Sequence, residues 1–273
     1  MGEYRGLFFI MSMKTASLRT LRRFVAFLAI AALLPLCASA TGKLLQVGTL
    51  PALAAGVFDG ATTLEPIQRP ESYGLGTFEN LDGEMVVLDG VVYQVKVDGS
   101  VVKPAVATKI PFAAVSLMGE PDVTASVGSF ASKEEFQNYV LGKLQSLNHP
   151  ALLLFEGKFT AVTTRSVPAQ KKPYPTLAEA CLAQAEFTLG AQEGTLVGFY
   201  CPQWMAGLNA PGFHLHFLNS GKTAGGHALS FAVEGGTLRI QELTGVQVLL
   251  PGVDSAFAES DIAPADAHSK AEK

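Results

Sequence analysis

A compact group of three histidines is the part of the sequence best suited to bind a metal ion. His214 and His216 stand two residues apart in an apolar segment, so on a strand both imidazoles would project from one face. The glycine-rich stretch 219–226 can reverse the chain and bring His227 alongside on the next strand, where cross-strand neighbours lie about 5 Å apart. The spacing therefore predicts three imidazoles that converge on one ion. The alternating residues expected in the core are Phe213, Leu215 and Phe217.

The number of ligands in this group indicates the kind of metal site. Three neutral nitrogens with open coordination positions are typical of catalytic zinc, whereas structural zinc is closed by four protein ligands. Imidazoles also suit iron, manganese and cobalt, so the metal stays open, and a polar strand face that carries histidines by chance is the alternative interpretation. The other two histidines are poorer candidates, because His149 precedes a proline at a predicted helix end and His268 lies in the tail.

Two charged residues elsewhere could work beside such a metal. Asp82-Gly83 predicts a turn that leaves Glu84 at the first position of a strand, where a carboxylate can point across a cleft. Arg165 ends another predicted strand, and its guanidinium could bind a substrate carboxylate through paired donors. From spacing alone, an ordinary surface charge is the favoured interpretation of Glu84 and an equal one for Arg165.

Turn and periodicity signals predict a strand-rich chain with a few helices to position these groups. Asp89-Gly90 between two apolar runs predicts a tight β-hairpin over 85–95. Ser132 and Thr176 each precede a glutamate by three residues, the pattern that caps the start of a helix. The apolar face expected for the first helix is Phe136, Tyr139, Val140, Leu144 and Leu147. Further strands are expected at 110–117, 152–163, 195–201, 212–218, 227–233 and 237–250.

The composition of the 273-residue chain excludes several functional classes. Hydrophobic residues make up 48% and charged residues only 16%, which is typical of a globular protein and not of a disordered one. A formal net charge of -4 argues against a nucleic-acid partner, which requires a basic face. Three cysteines exclude a scaffold built on disulfides, and pairing of Cys181 with Cys201 stays open.

The first forty residues follow the order of a secretory signal peptide. A basic stretch from Lys14 to Arg23 precedes the apolar run 24–37, and Ala38-Ser39-Ala40 supplies the small residues of a cleavage site. The apolar run is shorter than the roughly twenty residues that span a bilayer, and a membrane anchor is the alternative. We expect export to the periplasm or the medium, with cleavage near Ala40-Thr41 and no stable membrane anchor afterwards.

The start of the chain also bears on the charge of the mature protein. Met13-Lys14 opens an ordinary signal peptide, so residues 1–12 are interpreted as an upstream mis-start. Residues 1–40 carry five basic side chains and one acidic one, and their removal would leave a net charge of -8. An anionic substrate would then have to be attracted locally by the site.

The best domain boundary lies near the proline-rich joint Pro173-Tyr174-Pro175. We predict a signal peptide, an N-terminal sheet domain, a C-terminal metal-binding sheet domain and a tail of the composition usually found in disordered segments. Their bounds are 1–40, 41–170, 171–254 and 255–273.

Several separated motifs together resemble the alpha-acetolactate decarboxylase family, in the right order and across essentially the whole mature chain. The motifs are 45–50 (LQVGTL), 55–60 (AGVFDG), 74–85 (GLGTFENLDGEM), 165–168 (RSVP) with 172–174 (KPY), 212–217 (GFHLHF) and 225–227 (GGH). The resemblance implies an α/β (α+β), β-rich fold of two mixed or antiparallel sheet domains with a few helices. It also implies an active site between the domains and a homodimer. Many members are cytosolic, so the predicted export is a departure.

The resemblance also assigns residues. It implies zinc ligands at His214, His216 and His227, catalytic roles for Glu84 and Arg165, and Thr77 and Val167 in the wall of the substrate cavity. The family brings a tail glutamate to the metal, for which Glu272 is the best match and Glu259 the competitor. The tail would then fold back over the site.

The implied reaction is the decarboxylation of 2-acetolactate to acetoin and carbon dioxide, a step of acetoin and butanediol synthesis. Loss of carbon dioxide leaves an electron pair that the adjacent ketone accepts as an enediolate, and zinc would stabilise it as a Lewis acid without an organic cofactor. Arg165 would position the carboxylate or stabilise developing charge, and Glu84 would donate the proton to the carbanionic carbon.

Two other classes compete with this interpretation. A cupin-like oxygenase or isomerase also uses two histidines two apart on a strand. It usually supplies a glutamate a few residues later, where this chain has Ser220, and a more distant third histidine. A non-enzymatic periplasmic metal-binding module would need neither Glu84 nor Arg165.

Overall fold

The computed structural model describes residues 42–262, so the predicted signal peptide and Glu272 lie outside the described residues. Within this range the chain forms fifteen strands and four α-helices. The strands are β1 (Lys43–Val47), β2 (Thr62–Thr63), β3 (Ser72–Thr77), β4 (Glu84–Leu88), β5 (Val91–Val95), β6 (Val101–Val102), β7 (Lys109–Ile110), β8 (Phe112–Leu117), β9 (Val123–Val127), β10 (Ala151–Ser166), β11 (Ala185–Leu189), β12 (Gln192–Cys201), β13 (Gly212–Asn219), β14 (Gly225–Glu242) and β15 (Gly245–Leu249). The helices are α1 (Leu50–Ala54), α2 (Lys133–Leu141), α3 (Leu177–Cys181) and α4 (Ala256–Glu259). None of these helices has the length and apolar character needed to cross a membrane.

Two large sheets organise these strands. The seven-stranded sheet has the order β15-β1-β8-β3-β4-β5-β6 and is mixed, because β1 pairs in parallel with β15 and antiparallel with β8. The six-stranded sheet is antiparallel, in the order β11-β10-β12-β13-β14-β9, and β10 also pairs with β14. The predicted β-rich fold class with mixed and antiparallel sheets is confirmed.

Three apolar clusters surround the sheets. The first fills the space between them, where Leu75 and Val86 of the seven-stranded sheet and Val197 of the six-stranded sheet belong to one buried group. The second, here called the aromatic core, covers the other face of the six-stranded sheet and includes Phe136 of α2. The third covers the other face of the seven-stranded sheet. The cavity described below opens at the edge of the first cluster.

Local signals predicted several elements well. The hairpin of β4 and β5 turns at Asp89 and Gly90, whose φ angles of 49° and 74° suit the mirror-image turn of a tight hairpin. Ser132 accepts a hydrogen bond from the amide of Glu135 at the start of α2, and Thr176 forms the complete capping box of α3. Both predicted helix starts are confirmed.

Three predicted boundaries were wrong. Helix α2 ends before Gly142, a poor helix former, so Leu144 and Leu147 lie beyond it. Pro111 divides the expected strand 110–117 into β7 and β8, because proline cannot donate to the sheet ladder. The expected strands 227–233 and 237–250 also had the wrong limits, because β14 runs without a break from Gly225 to Glu242 and β15 follows separately.

Glycines in the middle of β14 explain the last of these errors. Gly235-Gly236 suggests a turn in the sequence, but Gly236 pairs with Gly157 of β10. A Cβ on Gly236 would lie 2.4 Å from the carbonyl oxygen of Glu156. The glycines therefore allow two strands to approach closely and do not reverse the chain.

Each large sheet draws strands from both sides of residue 170. β15 joins β1 in the seven-stranded sheet, and β9 and β10 belong to the six-stranded sheet with β12, β13 and β14. The division into domains at 41–170 and 171–254 stays a prediction, and the sheets interleave across it.

Candidate metal centre and the cavity around it

One row of cross-strand neighbours carries most of the polar side chains of the site. Glu186 of β11 pairs with Arg165 of β10, Arg165 pairs with His227 of β14, and His227 pairs with His216 of β13. Directly opposed residues in an antiparallel sheet point to the same face. The register alone therefore aligns a carboxylate, a guanidinium and two imidazoles along one line of the sheet.

The third imidazole comes from the strand alternation predicted above. His214 projects beside His216 from β13, and the ligand atoms of His214, His216 and His227 all lie within 4.8 Å of one another. Their ring centroids are 5.0 to 5.2 Å apart. All three side chains are buried. The structure thus brings together the three histidines that the sequence singled out.

Local structure of the β13–β14 hairpin sets the place of His227. The side chain of Asn219 accepts hydrogen bonds from the amides of Thr223 and Ala224 and holds the loop closed. Gly226 has a φ of 128°, and a Cβ there would lie 2.4 Å from the carbonyl oxygen of Arg165. Only glycine lets β14 run this close to β10 immediately before the histidine.

Burial keeps these imidazoles in the form that binds metals. Burial lowers the pKa of His214 to about 3, with a further contribution from the positive charge of Arg165. The pKa values of His216 and His227 also lie well below the ordinary value, again chiefly because of burial. Metal binding requires neutral imidazoles, so no proton has to be displaced near neutral pH.

Two ring nitrogens test whether a metal fits. Nδ1 of His216 lies 2.7 Å from the carbonyl oxygen of Met85 and must donate to it, since a carbonyl can only accept. Nε2 of His216 then carries a lone pair, and neither it nor Nδ1 of His214 has a hydrogen-bond partner within residues 42–262, although both are buried. Buried nitrogens of this kind fit a coordinated metal, with Met85 orienting one ligand from behind.

Glu84 faces the same group from the other sheet. It is the first residue of β4, and its Oε2 lies 3.5 Å from Nε2 of His216. Gly83, with a φ of 82°, donates its amide to the carbonyl of Val167, and its own carbonyl accepts a hydrogen bond from the hydroxyl of Thr77. Thr77 and Val167 thereby fix the backbone that presents Glu84.

The turn before Glu84 is strained and firmly held. Asn80 and Leu81 both adopt positive φ angles, 65° and 60°, at a cost of about 1–3 kcal/mol each. The amide of Asn80 donates to Phe58, its carbonyl accepts from Gln170, and its side chain accepts from the hydroxyl of Tyr174. These bonds direct Leu81 into the cavity wall.

Arg165 approaches the imidazoles from the end of β10 and is 8% exposed. Its Nη1 donates to Oε1 of Gln184 at 2.9 Å and to Sγ of Cys181 at 3.3 Å. Cys181 is not bonded to Cys201, which is buried in the first cluster with its thiol pKa raised to about 12 by burial. The disulfide that the sequence left open is not formed.

The predicted residues converge on one cavity. His214, His216, His227, Glu84, Arg165, Thr77 and Val167 all line it. Of the two tail candidates, Glu259 is exposed at the end of α4 and does not line the cavity, and Glu272 lies outside the described residues.

Sequence reasoning missed the apolar wall of this cavity. The wall includes Leu50, Leu53, Leu81, Phe112 and Leu177. Two of these belong to α1, whose sequence LPALA is apolar on every side. A helix without a polar face is typical of a buried element, and that signal could have identified it.

Comparison with known proteins gives one consistent result over most of the chain. The family model described as alpha-acetolactate decarboxylase matches residues 44–264. An alpha-acetolactate decarboxylase of Methanosarcina mazei is 39% identical over 198 residues, which is 72% of this chain and 68% of that protein. One of Methylococcus capsulatus is 37% identical over 221 residues, 81% of this chain and 84% of that protein. The crystal structure of the Bacillus subtilis strain 168 alpha-acetolactate decarboxylase superposes with a TM-score of 0.79 at 31% identity and covers 84% of this chain and 97% of that one.

Proposed function

This chain belongs to the alpha-acetolactate decarboxylase family, and from that premise we propose that it converts 2-acetolactate to acetoin and carbon dioxide. The observation that carries the proposal is the meeting of three buried imidazoles with Glu84 and Arg165 in one cavity. The reaction needs a cation to bind the substrate carboxylate, a Lewis acid to stabilise the electron pair, and a donor to deliver the proton. The cavity holds residues suited to each.

The three imidazoles would hold a divalent metal, for which we propose zinc. When bound, the metal would supply Lewis acidity that stabilises the enediolate left by loss of carbon dioxide. The substrate's own ketone accepts the electron pair, so we propose no organic cofactor. Replacement by iron, manganese or cobalt, followed by assay, tests the choice of metal.

Arg165 would orient the substrate through its carboxylate. The guanidinium is held from the β11 side by Gln184 and lies in a cavity with little access to water, where a charge acts more strongly than at the surface. The whole chain has a net charge of -4, so attraction of an anion must be local, from Arg165 and from the metal that the histidines would hold.

Glu84 would hold and deliver the proton. It is 8% exposed and lies against His216, so its carboxyl group faces the same space as the imidazoles. After carbon dioxide leaves, a protonated Glu84 can protonate the carbanionic carbon as a general acid. The apolar side chains of Leu50, Leu53 and Leu177 exclude water that could compete for that carbon.

Racemic acetolactate, purified protein and chiral analysis of the acetoin formed test this function directly. We expect chelator-sensitive release of carbon dioxide. His216→Ala should lose both bound metal and activity. Full activity of that variant without metal would contradict the scheme.

Matched variants separate an enzyme from a metal-binding module. Glu84→Gln should lower kcat by about 10²- to 10⁴-fold and Arg165→Met should lower kcat/KM by about 10²- to 10³-fold, with metal content unchanged. The controls are Glu193→Gln and Arg239→Met, which change exposed or half-exposed side chains outside the cavity. If all four variants behave alike, the roles of Glu84 and Arg165 are wrong.

We also propose export after removal of residues 1–40, a homodimer, and closure of the site by a tail glutamate. The sequence order of basic, apolar and small residues supports the first. The mass of the secreted protein tests the export, and its size in solution tests the homodimer. A comparison of Glu272→Gln with Glu259→Gln tests the closure.

A further inference from the structure

The cation of the site is held by a neutral amide. Nη1 of Arg165 donates to Oε1 of Gln184 at 2.9 Å, and Nε2 of Gln184 donates to Oε1 of Glu186 at 2.8 Å. Arg165 is buried, Gln184 is half-buried and Glu186 is exposed. A chain of hydrogen bonds therefore runs from a surface carboxylate to the buried guanidinium.

The chemistry of the three groups fixes which way the amide of Gln184 points. A guanidinium can only donate and an ionised carboxylate can only accept. The amide oxygen must face Arg165 and the amide nitrogen must face Glu186, since the flipped amide would set donor against donor and acceptor against acceptor. Glu186 thus determines the orientation of the Gln184 side chain, and Gln184 is one of the groups that orient Arg165.

The register shows why an intervening amide matters. Arg165 and Glu186 stand directly opposite each other on β10 and β11, a position from which oppositely charged side chains commonly pair. A direct pair would place a negative charge beside the guanidinium and weaken its attraction for an anion. A neutral acceptor orients the guanidinium without adding that charge.

The backbone holds Gln184 in place for this task. The backbone N–H of Gln184 donates to the carbonyl of Cys181 at the end of α3, and the capping box of Thr176 and Glu179 fixes the start of that helix. Leu177 and Cys181 of the same helix line the cavity. The amide is therefore anchored to an element that itself forms part of the site.

We propose that Gln184 is a positioning residue that aims the guanidinium of Arg165 at the carboxylate of the substrate, and that Glu186 fixes its amide. The inference rests on the proposed function, in which Arg165 binds that carboxylate. It predicts that the loss of Gln184 weakens the binding of anionic ligands and spares neutral ligands of the same shape.

Two ligands that differ only by the carboxylate provide the test. 2,3-Dihydroxy-2-methylbutanoate has no ketone to accept electrons and so does not decarboxylate, and butane-2,3-diol is the same molecule with hydrogen in place of the carboxylate. Their Kd values are measured by calorimetry on the metal-loaded protein. Gln184→Met should weaken binding of the anion about 10-fold, the typical contribution of a hydrogen bond to a charged group, and change binding of the diol less than about 2-fold. For acetolactate, KM should rise more than kcat falls.

Further variants sharpen the test. Glu186→Met should weaken anion binding by about 3-fold, because Gln184 keeps the oxygen that accepts from Arg165 but loses the carboxylate that orients its side-chain amide. Gln192→Met is the matched control, because the side-chain amide of Gln192 donates to the carbonyl of Gly190 outside the cavity, and this variant should change the binding of neither ligand. Metal content and the thermal midpoint check that each variant is folded.

Every outcome decides between defined alternatives. If Gln184→Met weakens both ligands equally, or neither, the positioning role is wrong. If Arg165→Met does not weaken binding of the anion more than binding of the diol, the assignment of Arg165 in the proposed function is wrong instead. A selective loss in Arg165→Met and Gln184→Met, absent in Gln192→Met, supports both.

Discussion

Along β13, Phe213, Leu215 and Phe217 enter the aromatic core, whereas the alternating His214 and His216 enter the cavity between the sheets. In the aromatic core, Phe217 packs edge-on against Phe159, with ring centroids 4.9 Å apart, and Phe159 meets Phe155 in the same way. On the other face, one buried ring nitrogen of each histidine has no hydrogen-bond partner among the described residues. Neighbouring residues of one strand therefore meet opposite physical requirements.

This difference shows how the fold tolerates a site that lowers its stability. Buried polar groups without partners destabilise a protein, whereas edge-to-face aromatic pairs stabilise it beyond the area that they bury. Because both faces share one backbone, the packing of Phe217 and Leu215 also fixes the positions from which the imidazoles project. One face thus supplies the stability and rigidity that the other requires.

The largest effect should come from the aromatic core. Phe159 is 1% exposed and contacts three other phenylalanine rings, so Phe159→Ala should lower the free energy of unfolding by about 3–5 kcal/mol. Chemical denaturation measures the loss. Leu182→Ala, at a side chain that is 88% exposed, is the control and should change stability by less than about 0.5 kcal/mol.

The same variant also tests the division of labour between the faces. The fraction of Phe159→Ala that stays folded should still bind metal, because no ligand is altered, with a modest loss of affinity because Phe217 of the histidine strand loses a packing partner. A large loss of metal affinity in protein shown to be folded would mean that the two faces are less separate than their contacts indicate.

A pH dependence should be specific to the histidine face. In the folded, metal-free protein the pKa of His214 is about 3 and those of His216 and His227 are well lowered, whereas in the unfolded chain they lie near 6.5. Below about pH 6.5 the unfolded chain binds more protons, so stability falls with decreasing pH by about 1.4 kcal/mol per pH unit for each such imidazole. For His214 this window extends from about 6.5 down to about 3.

Chemical denaturation of protein freed of metal by a chelator, at several pH values between 7 and 5, measures this slope. The buried members of the aromatic core carry no ionisable side chain and add nothing to it. Added metal should raise the free energy of unfolding at each pH but leave the slope, because the folded imidazoles are neutral with or without metal and the unfolded chain still takes up the protons. A metal-free protein whose stability is constant across this range would contradict the burial of neutral imidazoles.

Short-range patterns predicted the histidine face because its geometry is local. Strand alternation places His214 beside His216, and a glycine-rich reversal returns His227 to the adjacent position, so the sequence contains nearly all the information needed. The hairpin at Asp89-Gly90 was predictable for the same reason.

Long-range contacts were not predictable from such patterns. The carbonyl of Met85 behind His216 and the amide of Gln184 beside Arg165 depend on the packing of two sheets and on a cross-strand register. The parallel pairing of β15 with β1 joins the two ends of the described chain, and no local pattern specifies it. The expected break between the strands 227–233 and 237–250 was wrong because Gly235-Gly236 serves a close approach of strands, for which glycine is used as it is in a turn.

A smaller effect, of opposite sign, should follow when the two faces are made alike. In the part of the chain that the structure describes, Nδ1 of His214 is buried and has no hydrogen-bond partner, and the ring of His214 lies near that of Phe112, with centroids 6.3 Å apart. His214→Phe should therefore raise the free energy of unfolding of the metal-free protein by about 1 kcal/mol, reduce its pH slope by one imidazole, and abolish metal binding and activity. Denaturation and metal analysis measure these changes, with His149→Phe, at an exposed histidine, as the matched control. A variant less stable than the metal-free parent would show that the imidazole contributes packing or bonding that outweighs its desolvation, and the contrast between the two faces would then not hold at this residue.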